Sequence, residues 1–96
     1  MLPLLIRKVH GHSMMPSFPP NTYICGLRWF NTLKTGNVIV FEHQGKEKIK
    51  RIEKIVDQKL YVVGDHKDAS TDSRAFGLIE TDSVTAKVIW PRSNKL

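Results

Sequence analysis

The chain has 96 residues, 15 Lys and Arg against 9 Asp and Glu, and a formal net charge of +6 at pH 7. That length supports one modest core over residues 1–96 and excludes a two-lobed architecture, while an apolar fraction of 41% argues against disorder. Cys25 is the only cysteine, which excludes an intrachain disulfide and suits a reducing, cytoplasmic setting.

The basic residues scatter from Arg7 to Lys95, and the densest run, residues 46–51, is broken by Glu47 and Ile49. This pattern reads as a solvated face, so no nucleic-acid partner is expected. Residues 1–6 are far short of the ~20 apolar residues that span a bilayer. Arg7 and Lys8 cut the run too early for a secretory signal. The expectation is a cytoplasmic chain without a transmembrane segment, with attachment to a membrane surface left open.

In chain order the pattern is mostly β with little helix. Residues 4–10 suit a first strand, residues 17–21 with Pro19 and Pro20 a turn, and residues 22–29 a second strand rich in β-branched and aromatic types. Cys25 between Ile24 and Gly26 reads as a small buried residue. Trp29 and Phe30 read as core packing, with an exposed apolar edge as the alternative. Residues 34–37 are a turn, and Val38-Ile39-Val40-Phe41 is a run for a buried strand.

After a hairpin turn at residues 44–46, Ile49, Ile52, Ile55 and Val56 recur at helical spacing. The preceding hairpin signal and the strand-like Leu60-Tyr61-Val62-Val63 favour a strand instead, with Lys48, Lys50 and Ile52 on one face and Arg51 on the other. Residues 57–59 then form a hairpin turn. Residues 64–77 are a long polar loop with one helical turn at 71–75, and so long a loop in a small domain is usually functional. Residues 84–90 close the fold, and residues 91–96 read as a frayed tail.

Four segments carry chemistry. Ser13-Met14-Met15-Pro16 resembles the Ser-Met-x-Pro box of the signal peptidase I family. Thr35 to Phe41 resembles its Gly-Asp-Val-Val-Val-Phe box, with Asn37 in place of the aspartate. Ile49-Lys50-Arg51-Ile52 resembles its Lys-Arg box. Gly64-Asp65 through Ser70-Thr71-Asp72-Ser73-Arg74 to Gly77 resembles its last, polar box. The boxes run in order over most of residues 11–77. The resemblance implies a fold of coiled antiparallel β-sheets shared with the SOS-repressor proteases. It also implies a serine endopeptidase that removes an N-terminal leader from a precursor protein.

Roles follow residue by residue from the resemblance. Ser13 is the nucleophile and Lys50 the general base, a Ser–Lys variant of the triad logic in which the lysine must be uncharged. Ser70 orients the lysine, and Asp72 with Arg74 braces the site. Met14 lines the substrate cleft, and Asp65 and Ser73 structure the loop. The main oxyanion donor is the Ser13 backbone N–H, and Gly11 stands where many bacterial members have a second, serine donor. No cofactor and no metal is implied; His10 and His12 alternate and could bind a metal with His43 or His66, but no Cys or carboxylate joins them at ligand spacing.

Only thirteen residues separate Lys50 from Gly64, too few for the β domain that bacterial signal peptidases insert there. With no anchor ahead of the serine, the chain resembles the compact proteases that mature nickel-type superoxide dismutase. The alternatives are a signal peptidase working at a membrane, a self-cleaving regulator, and a non-catalytic basic β-barrel that binds nucleic acid. The twelve residues before Ser13 hold no Ala-Gly or Cys-Gly site for self-cleavage.

Overall fold

Period-2 alternation sets the first strand: β1 (Leu4–Lys8) buries Leu5 and leaves Leu4, Ile6 and Lys8 exposed. The computed structural model describes residues 3–30 and 32–92. It continues through β2 (Tyr23–Leu27), β3 (Val38–His43), β4 (Lys46–Val56), β5 (Lys59–Val63), α1 (Ser73–Phe76), β6 (Ile79–Glu80) and β7 (Val84–Trp90). Single 3-10 turns occupy Lys67–Ala69 and Thr81–Ser83. The seven strands form one antiparallel sheet in the order β1-β2-β7-β3-β4-β5-β6.

The two faces of this coiled sheet bury two apolar clusters. The first gathers Leu5, Val9, Met14, Phe18, Ile24, Val38, Val40 and Ala86, and the second Ile39, Phe41, Ile52, Leu60, Val62 and Ile79. β3 feeds both, which is why its run of four apolar residues is buried throughout. Each fully buried side chain of this size contributes about 1.5–3 kcal/mol relative to exposure.

Residues 46–56 are a strand throughout, so the helical spacing of their isoleucines has another cause. Ile49 packs on the first cluster and Ile52 lies in the second, on opposite faces. The β4–β5 register then shifts between Ile52 and Lys54, a bulge at Glu53, and Ile55 and Val56 end up exposed. Asp57 and Gln58 make the hairpin turn, both with positive φ (50° and 67°), as a two-residue turn between right-twisted strands requires.

Two expectations fail in β2 and just beyond it. Trp29 is 65% exposed, not part of the core, and Cys25 is only half-buried. The register sets Leu4 opposite Leu27, Ile6 opposite Cys25, and Cys25 opposite Trp90. Among the described residues no second layer covers this face of β1, β2 and β7, and Leu4, Ile6, Tyr23 and Trp90 stay exposed. The two-residue strand β6 has no counterpart among the expected elements, and residues 93–96 of the expected tail lie outside the described residues.

Candidate active site

Strand β4 serves two neighbours. Residues 46–51 pair with β3, and from Arg51 onward the other edge pairs with β5. Among the described residues β1 pairs only with β2, which leaves its other edge open, and residues 46–50 of β4 have no β5 partner on theirs. Between them lies a cleft of about 200 Å³ lined by Arg7, Val9, Ser13, Met14, Ile49 and Lys50, among others. Arg7 Nε donates to Glu47 Oε1 at 2.7 Å across the two walls. A larger hollow of about 450 Å³, beside Phe18 and Lys87, brings no serine near a lysine.

Ser13 sits in a turn that follows β1 and is pinned from both sides. Met14 is buried in the first cluster while also lining the cleft, and Phe18 N–H donates to the Met14 carbonyl at 2.8 Å. The Ser13 carbonyl accepts from the His66 N–H at 2.8 Å. Gly64 makes this approach possible: a Cβ there would lie 2.6 Å from the Ser13 oxygen and also overlap the Ser70 side chain. Gly11 enters the turn with φ +76°, a left-handed conformation that disfavours any residue with a Cβ, serine included.

Lys50 is 6% exposed, and its Nζ donates to Ser70 Oγ at 3.1 Å. Ser70 Oγ donates to Asp72 Oδ2 at 2.8 Å. With its proton directed at Asp72, Ser70 offers Lys50 only lone pairs, so one amine N–H points at Ser70. The nitrogen lone pair of a neutral amine is then left for the cleft. Burial is the main cause that lowers the Lys50 pKa; Asp72 opposes it, and the positive charges of Lys48 and Arg74 add to it. Ser13 and Lys50 share the cleft without a direct hydrogen bond between their side chains. Such contacts commonly close only when substrate is bound.

Asp72 is almost completely buried. Burial alone would raise its pKa, but hydrogen bonds from Arg74, Gly64 N–H and Ser70 outweigh that and hold it at about 2. Arg74 meets it at two points, Nε to Oδ1 at 2.9 Å and Nη2 to Oδ2 at 3.2 Å. The same carboxylate caps α1 through the Arg74 N–H. Ser73 Oγ accepts from Val62 N–H, which fastens the loop to β5.

Some contributors were hidden in the sequence. Arg51, expected only to face away from Lys50, is buried in a fork with Asp65, Nε to Oδ1 at 2.8 Å and Nη2 to Oδ2 at 2.9 Å. It also donates to the Gly36 carbonyl at 2.7 Å. Strand alternation was the available signal: a cation facing a core needs a partner, and Asp65 in the polar loop was one candidate carboxylate. Asn37 does a turn's work, its Oδ1 accepting from Lys34 N–H at 2.8 Å, a task Asn shares with Asp. His12 is exposed, with Nδ1 3.3 Å from the Met15 sulfur. Among the described residues no three His, Cys, Asp or Glu side chains form a metal-holding group. No helix among them is long and apolar enough to cross a membrane.

Residues 46–92 match the protein family described as signal peptidase, peptidase S26. The match covers Lys50, Ser70, Asp72 and Arg74 and begins after Ser13. No curated protein matches the chain.

Proposed function

Because the chain belongs to the signal peptidase I-like family of serine peptidases, we propose that it cleaves a precursor protein through a Ser13–Lys50 dyad. The observation that carries this reading is the Lys50–Ser70–Asp72 relay at the end of the cleft holding Ser13. Lys50 as free base takes the Ser13 proton, and Ser13 Oγ attacks the scissile carbonyl. The Ser13 backbone N–H stabilises the oxyanion. Lys50 then protonates the leaving amine, an ester-linked acyl-enzyme remains, and water hydrolyses it with Lys50 again as base. Gly11 adds no hydroxyl to this oxyanion site.

The substrate supplies an extended segment between the free edges of β1 and β4, and cleavage removes its N-terminal leader. The two-residue β4–β5 turn, where larger members carry a domain, supports the compact branch of the family. Its substrate is a nickel superoxide dismutase precursor. The uncovered apolar face of β1, β2 and β7, with Trp90 and Tyr23 exposed beside Lys8, supports a second version: a leader peptidase working at a membrane surface. Mass spectrometry of the superoxide dismutase precursor and of an Ala-x-Ala leader peptide, each with wild type and Ser13→Ala, separates them. A single cut at the leader junction of the first, absent in Ser13→Ala, is the expected result. Ser13-dependent cleavage of the second alone moves the protein to the membrane version, and no Ser13-dependent cleavage of either overturns the dyad.

A further inference from the structure

Lys48 is two residues before Lys50, and alternation along β4 places both side chains on one face. Two residues of strand separate their Cα atoms by roughly 6.6 Å. Two ammonium groups so placed repel each other strongly where water is scarce, so one proton is favoured over two.

The surroundings decide which lysine keeps it. Lys48 Nζ lies 4.7 Å from the centroid of the Phe76 ring, whose face attracts a cation. It is also 3.1 Å from His43 Nδ1. An Nδ1 lone pair there can accept from a Lys48 ammonium, which only donates. His43 is itself stacked on Phe76, with centroids 4.1 Å apart. The cluster therefore offers a cation at Lys48 two favourable partners and ties the last residue of α1 to β3 and β4. Lys50 has a single hydroxyl partner and is the more deeply buried of the two.

The other charged and titratable groups around Lys50 do not reverse this. Asp72 favours an ammonium, but its carboxylate is engaged by Arg74. Glu47, on the opposite face of β4, is paired with Arg7. Lys8 and His10 on the β1 wall add no negative charge.

We propose that Lys48, held by His43 and Phe76, is a positioning residue for the reaction: its fixed charge keeps the Lys50 amine in the free-base form. This rests on the Ser13–Lys50 reading. None of the motifs that carry the family resemblance calls for a lysine at this position. The direction of the Lys50 pKa agrees, with Lys48 acting after burial and against Asp72.

The test is the pH profile of kcat/KM for Ser13-dependent cleavage in wild type, Lys48→Met and Lys48→Arg. Methionine keeps an unbranched apolar stem over Phe76 and removes the charge. In Lys48→Met the limb that rises with pH moves to higher pH, so activity near neutrality falls about tenfold and recovers in alkali. Lys48→Arg keeps the limb in place. An equal loss at every pH with an unmoved limb, or a change in KM alone, overturns the proposal in favour of packing or substrate contact. Should Lys48→Met fail to fold, Lys48→Gln carries the same comparison. If the wild type shows no Ser13-dependent cleavage, the dyad fails on its own account, and the titration of the Lys50 amine by NMR in wild type and Lys48→Gln still decides the role of Lys48.

Discussion

Lys50 and Arg51 are consecutive, almost equally buried at 6% and 5% exposure, and cationic in any unfolded chain at neutral pH. The strand turns them to opposite faces and so to opposite chemistry. Arg51 meets the Asp65 carboxylate in a two-point fork and the Gly36 carbonyl besides. Lys50 meets one serine hydroxyl, and the carboxylate beyond it is already shared by Arg74, Gly64 and Ser70. Burial is common to both. Partnership decides that one stays a structural cation while the other is left able to give up its proton. The residue types suit this division, because guanidinium stays protonated in proteins while a lysine gives up its proton readily when buried.

The largest stability effect should come from breaking the paired side. Arg51→Met leaves Asp65, itself nearly inaccessible, as a buried carboxylate without its fork. Removing one partner of such a pair costs about 3–5 kcal/mol, to be read from urea unfolding at pH 7. Because Asp65 lies between Gly64, which leaves room for the Ser13 carbonyl, and His66, whose N–H binds it, activity should fall with it. The double variant Arg51→Met/Asp65→Leu should recover much of the loss, since an apolar replacement of both partners is often tolerated. A single-variant cost under about 1 kcal/mol would mean that Arg51 is no better held than Lys50.

A smaller effect should appear in acid. Asp72 has a folded pKa of about 2, against about 3.9 in an unfolded chain. Its stabilisation is therefore complete above the unfolded value and is lost as pH falls through the folded one. The span is worth about 2 kcal/mol between roughly pH 4 and pH 2. Urea midpoints of wild type and Asp72→Asn across that window should converge at the acid end. Parallel curves would show that Arg74 and the backbone donors do not hold the carboxylate ionised.

How much of this was legible in advance follows the same physics. Strand positions were readable because apolar and β-branched patterning is local: the continuous run at residues 38–41 and the segment 84–90 needed only their own side chains. The isoleucines of residues 49–56 have helical spacing, and only the flanking hairpin signals favoured the strand that is found, because a bulge at Glu53 and an exposed hairpin end have no signature in spacing. Trp29 and Cys25 read as buried by residue type, whereas exposure depends on whether a second layer covers β1 and β2. The candidate site residues stood out as boxes. Their relay did not, since the Lys50–Ser70 contact spans 20 positions and the Arg51–Asp65 fork 14. Lys48 looked like one more basic residue until Phe76 and His43 were placed against it.

The smallest predicted effect bears most directly on the comparison, because its sign is opposite to that at Arg51. Burial lowers the folded pKa of Lys50, so between that value and the ordinary lysine pKa the unfolded chain binds the extra proton. Stability of the wild type then rises with pH across this interval. Lys50→Met removes the proton site and fills the space with an unbranched apolar chain. It should therefore stabilise the protein at neutral pH by about 0.5–2 kcal/mol, the usual yield of relieving one unfavourable site. The gain should fade as pH approaches about 10.4, where the unfolded lysine also loses its proton. Ser13-dependent cleavage should be absent throughout, and absent equally in Lys50→Arg, whose guanidinium cannot act as a base. A destabilised Lys50→Met would make Lys50 a second structural cation and remove the distinction on which the base assignment rests. A stabilised and inactive variant would show that the fold bears a standing cost at this position for the sake of a free amine.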